Sequence, residues 1–259
     1  MDIKKAEIHR IICEAVEELK RLRREYGKEF RDVPPVLWFG DIESSKPKVV
    51  VMSANPSNTE YMTAKNPHIP SAKGWKIDKL TIAELEEDYD RYFSNNPYTN
   101  WFGSNPAVRI ARQGRIEDFL NGLDASFYGG LKYQAIHIDL IPFPTKNSFV
   151  KIVDELMGIK DTPHWIDKHV NDLISLISPK LIIINGRTNF QCFNQCVNLC
   201  AQPYTTFLHK GTGITIWQAN HQSNRAPIVG ISANMGSRYT KDRQTLVDLG
   251  RFVKKSIKF

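Results

Sequence analysis

The 259-residue sequence has no run of about 18 apolar residues, so nothing in it suits a membrane-spanning helix. The opening stretch MDIKKAEIHRIICEAVEELKRLRREYG is charged throughout; it reads as a surface helix rather than a signal peptide, and a cytoplasmic location is the expectation. No Gly-x-x-x-x-Gly-Lys-Ser/Thr occurs, which removes a P-loop. The short Gly211, Thr212, Gly213 stretch precedes a strand pattern instead of a helix, so it is no dinucleotide fingerprint. There is no Gly-x-Ser-x-Gly elbow, no repeat and no dense Lys/Arg tail. Cysteines number four, without a Cys-x-x-Cys pair. Cys192, Cys196 and Cys200 are spaced to share one helix face, where packing thiols, kept reduced in a cytosol, are favoured over a metal site. His137, His164, His169, His209 and His221 show no metal-ligand spacing, and His164 with His169 reads as a solvated pair. No cofactor or metal is implied.

What is present is ordinary for a globular chain: 41% hydrophobic and 24% charged residues, enough for a sizeable core. We expect one domain over residues 1–259 and a monomer. The net charge of +7 leans toward polyanions such as nucleic acid, with a solvated basic surface as the plainer alternative. Any nucleic-acid contact would be made by a folded surface.

Four apolar runs have the character of buried strands: KVVVMSA (48–54), QAIHIDLI (134–141), KLIIIN (180–185) and APIVGISA (226–233). Helical patterns lie between them: TIAELEEDYDRYF, GRIEDFLNGL, FVKIVDELMG, PHWIDKHVNDLISLI and NFQCFNQCVNL. A helix from about 2 to 27 precedes the strands, and a last helix follows Arg238, with Leu246, Leu249, Val253 and Ile257 on one side. Alternating strands and helices imply parallel pairing in a sheet covered on both faces. The expected class is therefore three-layer α/β/α with a central four-stranded, mainly parallel sheet. GITIWQAN (213–220) suits an extra edge strand or hairpin arm, and DVPPVLWFGD a Pro-rich connection. The polar, aromatic-ended segment from Tyr61 to Trp101 carries at most one short helix; it either caps a site or is a surface excursion.

In such sheets ligands bind beyond the C-terminal ends of the strands. Three tips there carry polar patterns: Asn55, Pro56 and Ser57; Asp139 through Thr145; and Ser232 through Arg238 in the order Ser-Ala-Asn-Met-Gly-Ser-Arg. Together, over roughly residues 36 to 255, they resemble the uracil-DNA glycosylase superfamily. In that superfamily a strand-end Gly-x-Asn/Asp-Pro loop holds the catalytic polar residue. A mid-chain strand ends in an Asn that reads the base, and a late His/Asn-Pro-Ser-x-x-Ser-Arg-like loop enters the minor groove. Position 55 carries Asn, as in the mismatch-specific branch.

The resemblance implies a metal-independent enzyme that flips a nucleotide out of DNA and hydrolyses its N-glycosidic bond. Asn55 would hold a water against the sugar C1′, since an amide is no general base; its plainer role is a loop cap. Ser57 stands where the uracil-specific branch has a Tyr against the pyrimidine C5, leaving room for a 5-substituent, or is simply a loop serine. Asp139 aligns with the base-reading Asn. An ionised carboxylate only accepts, which suits the N4 amine of cytosine and repels uracil O4; a loop-capping carboxylate is the alternative. His137 is the alternative reader should the alignment slip by two. A modified cytosine, hydroxymethylated or glucosylated as in phage DNA, is the expected base, because free removal of plain cytosine would damage the cell's own genome; antiviral defence follows from that logic. Trp101, Phe102 and Tyr61 are candidates for stacking on the base, although core packing claims most aromatics. In the last tip Asn234 or Ser232 would stabilise the leaving base, and Met235 would wedge into the vacated stack. Ser237, Arg238 and Lys241, with Arg187 and Lys146 behind them, would hold phosphates, or are surface polarity. A uracil or mismatch repair glycosylase is the runner-up. A non-catalytic nucleic-acid-binding module is the reading from another class.

Overall fold

A computed structural model describes residues 3–54, 56, 81–94, 99–105, 115–145, 165–199, 201–209, 212–221, 226–236 and 242–257. The four Val/Ile-rich runs become β1 (Lys48–Ser53), β3 (Tyr133–Asp139), β4 (Leu181–Asn185) and β7 (Pro227–Ile231). They lie side by side and parallel, in the order β3-β1-β4-β7, with their apolar residues closed from solvent on both faces. The sheet is larger than the expected four strands. A two-residue strand β2 (Ala125–Ser126) adds to the outer side of β3 in parallel. On the other side, β5 (Gln202–His209) and β6 (Thr212–Asn220) form an antiparallel hairpin that pairs with β7. The result is a mixed seven-stranded sheet, ordered β2-β3-β1-β4-β7-β6-β5. The fold class is α/β, as expected, and GITIWQAN forms a hairpin arm within β6, as expected, but its partner β5 in this antiparallel third of the sheet is announced by no continuous apolar run.

Helix α1 (Ile3–Tyr26) puts Ile8, Ile11, Ile12, Ala15 and Leu19 into the core at helical spacing. It packs beside α2 (Ile82–Asp90) and α5 (Asn171–Ile177), which continues from a π-turn over Ile166–Val170. The one-turn helix α3 (Thr99–Phe102) touches α4 (Ile116–Gly122). Helix α6 (Arg187–Cys196) follows β4 directly, and α7 (Arg243–Ile257) closes the chain against α4. At the α4–α7 crossing the two helices touch backbone to backbone. A Cβ on Gly122 would overlap the Val247 carbonyl, and one on Gly250 the Phe119 carbonyl, so only glycine fits at either place.

Two segments are more deeply embedded than the sequence suggests. The stretch 34–40, expected as a connection, is wholly buried and seals the side of β3 that β2 is too short to cover. Phe39 and His137 exchange backbone hydrogen bonds at 2.9 Å, and Val36 N–H donates to the Pro142 carbonyl at 2.7 Å. Residues 82–93, expected within a polar excursion, bring Leu85, Tyr89, Tyr92 and Phe93 into the core. His169 is also buried, its ring stacked on Trp165 at 4.0 Å, in place of the solvated position expected of it. His164, Cys200 and the pattern FVKIVDELMG lie outside the described residues. Cys192 is buried and Cys196 half-buried, both as free thiols.

Candidate functional site

Parallel pairing brings the C-terminal ends of β3, β1, β4 and β7 to one edge of the sheet. Asp139 pairs with Ser53 across β3 and β1, and Asn185 with Ile231 across β4 and β7. The chain leaving β1 stays against the chain leaving β3: Leu140 N–H donates to the Ser53 carbonyl at 2.9 Å and Ile141 N–H to that of Ala54 at 3.0 Å. The chain leading toward the first sequence motif therefore runs beside the start of the second.

Three polar side chains lie buried in this row. Asp139 is 4% exposed, and Ser53 and Asn185 are closed off as fully. Asn185 Nδ2 reaches Ser53 Oγ at 3.5 Å, while its Oδ1 accepts from the Met235 N–H at 2.8 Å. Its backbone carbonyl takes a bond from Asn189 Nδ2 at 2.5 Å. One amide thus ties the tips of β1 and β4 to the loop after β7. Sequence reasoning puts Asn185 at a strand tip worth inspecting without giving it a role, and passes over Ser53. The signal was an Asn closing an otherwise aliphatic run, KLIIIN, where a buried polar group demands partners.

Behind Asp139, on the same face of β3, sits His137. Its Nε2 is 3.7 Å from Asp139 Oδ1, beyond hydrogen-bond range, and neither ring nitrogen has a hydrogen-bond partner among the described residues. The ring is 2% exposed, and burial pushes its pKa down to about 3, so it is neutral at physiological pH. Phe39 lies nearly parallel to it at 6.2 Å, and Phe102 meets it edge-on at 4.9 Å.

The remaining candidates fall into different settings. Phe102 belongs to an aromatic layer with Phe39, Tyr92, Phe93 and Phe127, so it offers no face to a base. Trp101 is half-buried and lies flat over Gly236, where a Cβ would overlap the indole. Trp101 is thereby held to the tip that follows β7. Met235, expected as a wedge, is fully buried in the core, and a side chain with no exposed surface cannot intercalate from that position. Ser232 is half-buried; its Oγ accepts from Thr215 N–H at 2.9 Å and its own N–H donates to the Thr215 carbonyl at 3.0 Å, which extends the β6–β7 pairing. Asn234 is exposed. Arg187 is exposed at the start of α6, its guanidinium 6.0 Å from the Trp217 ring. Asn55, Ser57, Tyr61, Lys146, Ser237, Arg238 and Lys241 lie outside the described residues.

The edge so assembled sets a buried carboxylate and a buried, neutral imidazole side by side at the strand tips. Among the described residues no group of three or more His, Cys, Asp or Glu side chains could hold a metal ion, and no helix is long and apolar enough to cross a membrane. No protein-family model matches this chain, and no curated protein matches it at significant similarity.

Proposed function

We propose that the protein is a monofunctional DNA glycosylase that flips a nucleotide from DNA and releases a 5-substituted cytosine-type base, serving antiviral defence. The observation that carries this reading is Asp139. It is a buried carboxylate at the C-terminal end of a central parallel strand, one strand away from the tip that leads into Asn55. A buried carboxylate accepts from an exocyclic amine and repels a carbonyl, which separates cytosine from uracil.

In the proposed reaction the C1′–N1 bond breaks and its electron pair leaves with the base. A water oriented by the Asn55 amide forms the new bond to C1′, and its proton passes to the released base through solvent. Positive charge develops on the sugar and negative charge on the base, so fixed dipoles near both lower the barrier. Asn234, exposed at the third tip, stabilises the departing base in this reading. Trp101 is the described aromatic suited to stacking on a flipped base. Ser57 leaves space at C5, and Arg187 with Ser237, Arg238 and Lys241 contacts the flanking phosphates.

The test is a panel of duplexes carrying hydroxymethylcytosine, glucosyl-hydroxymethylcytosine, cytosine, uracil or a G·T mismatch, incubated with the protein and then heated in alkali. Strand breaks confined to the modified cytosines are expected. Breaks at uracil or G·T would replace the proposal with a repair glycosylase. Salt-sensitive binding without any break would leave a binding module.

A further inference from the structure

We propose that His137 is a second reading group in the same pocket, so that the base edge is recognised at two points, His137 Nε2 and Asp139 Oδ1, rather than by Asp139 alone. The inference rests on the base-binding reading of Asp139 given above.

The geometry carries it. The two atoms are 3.7 Å apart, too far for a direct hydrogen bond and close enough for one planar edge to touch both. His137 is closed from water with both ring nitrogens lacking a hydrogen-bond partner among the described residues. A buried polar group left in that state is costly and calls for an explanation, which a hydrogen-bonding ligand supplies. Phe39 and Phe102 wall the ring and hold its plane. The nearby carboxylate favours the tautomer with hydrogen on Nε2, because that N–H dipole points toward the negative charge. The ring, neutral because it is buried, then donates to a ring-nitrogen acceptor while Asp139 accepts from an amine. That donor–acceptor order matches the N3 and N4 edge of an amino-pyrimidine. Uracil presents N3–H and O4, the reverse at both points. Both groups are shut off from solvent, so a base reaches them only as the side chains around them, Phe102 against His137 included, move aside.

The full-length protein, labelled with 15N, would be studied by long-range proton–nitrogen correlation of its histidines. His137 is expected as a neutral ring with hydrogen on Nε2. Millimolar 5-hydroxymethyl-2′-deoxycytidine monophosphate should shift its nitrogens, and 2′-deoxyuridine monophosphate should not. Equal response to both nucleotides, or to neither, overturns the proposal. In the duplex assay His137→Phe, which keeps a ring and removes both nitrogens, should lose about tenfold in preference for cytosine-type over uracil substrates. Cleavage with the preference intact in His137→Phe would leave the glycosylase reading standing and remove His137 from it. A selective nucleotide shift without cleavage of any duplex would remove the glycosylase reading and keep the two-point pocket as a binding site.

Discussion

The side-chain carbonyl of Asn185 accepts the backbone N–H of Met235 at 2.8 Å, joining the end of β4 to the loop after β7 inside a fully buried setting. Replacing Asn185 by Leu keeps the bulk and leaves that N–H without a partner, at a cost of roughly 1–3 kcal/mol. The melting temperature should fall, and any base-release activity should fall more than the fraction of unfolded protein explains. An unchanged melting temperature would show that the amide is dispensable.

Asp139→Asn should move preference from cytosine-type bases toward uracil, because an amide can donate to O4 where a carboxylate repels it. Competition between the two kinds of duplex reads this out. The same preference in both proteins would take Asp139 out of base recognition.

Asn55→Ala should abolish base release while duplex affinity, measured at fixed salt, changes less than about threefold, since only the placement of water is lost. Turnover retained within tenfold of the parent would count against a role for Asn55.

Asp90 accepts a hydrogen bond from Trp38 Nε1 at 2.9 Å, and burial pushes its carboxyl up to about 6. The folded state therefore binds a proton more tightly than the unfolded state. This contribution favours folding below pH 4 and is lost as pH rises through about 6. Asp90→Asn keeps an acceptor for the indole without the buried charge. It should be more stable than the parent at pH 7.5 and about equal to it at pH 4, by denaturant unfolding. A gain of the same size at both pH values would contradict this account.

Gly250→Ala should destabilise by roughly 1–3 kcal/mol or more, since overpacking a backbone contact leaves nothing flexible to yield. Gly122→Ala should do likewise. Urea unfolding midpoints decide it, and a neutral result at both positions would mean that the two helices can part.

The parts of the fold that were legible are those with one dominant signal. KVVVMSA, KLIIIN and their two companions are aliphatic enough to be strands only in the middle of a sheet, and there they lie. β5 was not legible. QPYTTFLH has a proline as its second residue and exposes most of its side chains, Leu208 to 74%, so neither continuous burial nor a helical stripe marks it. The burial of 34–40 was hidden for another reason: two prolines suggest a linker, whereas here the strand-like pairing of Phe39 with His137 puts the stretch on an open sheet edge. In the site, Asp139 could be found because polar residues at strand ends are few. Met235 was misassigned because sequence position alone cannot tell a loop residue pointing out from one folded back under its neighbours. Asn185 could be placed at a strand tip, but its role could not be read because its partners, Ser53 and Met235, are 132 and 50 residues away.

The glycine crossing of α4 and α7 also bears on how the molecule is made. The helix that packs against α4 at this crossing spans residues 243–257, more than a hundred positions later in the chain. During synthesis that flank of α4 must wait, apolar and uncovered, until the ribosome has delivered those later residues. A translational pause or a premature stop before them would hand the nascent protein to chaperones and proteases.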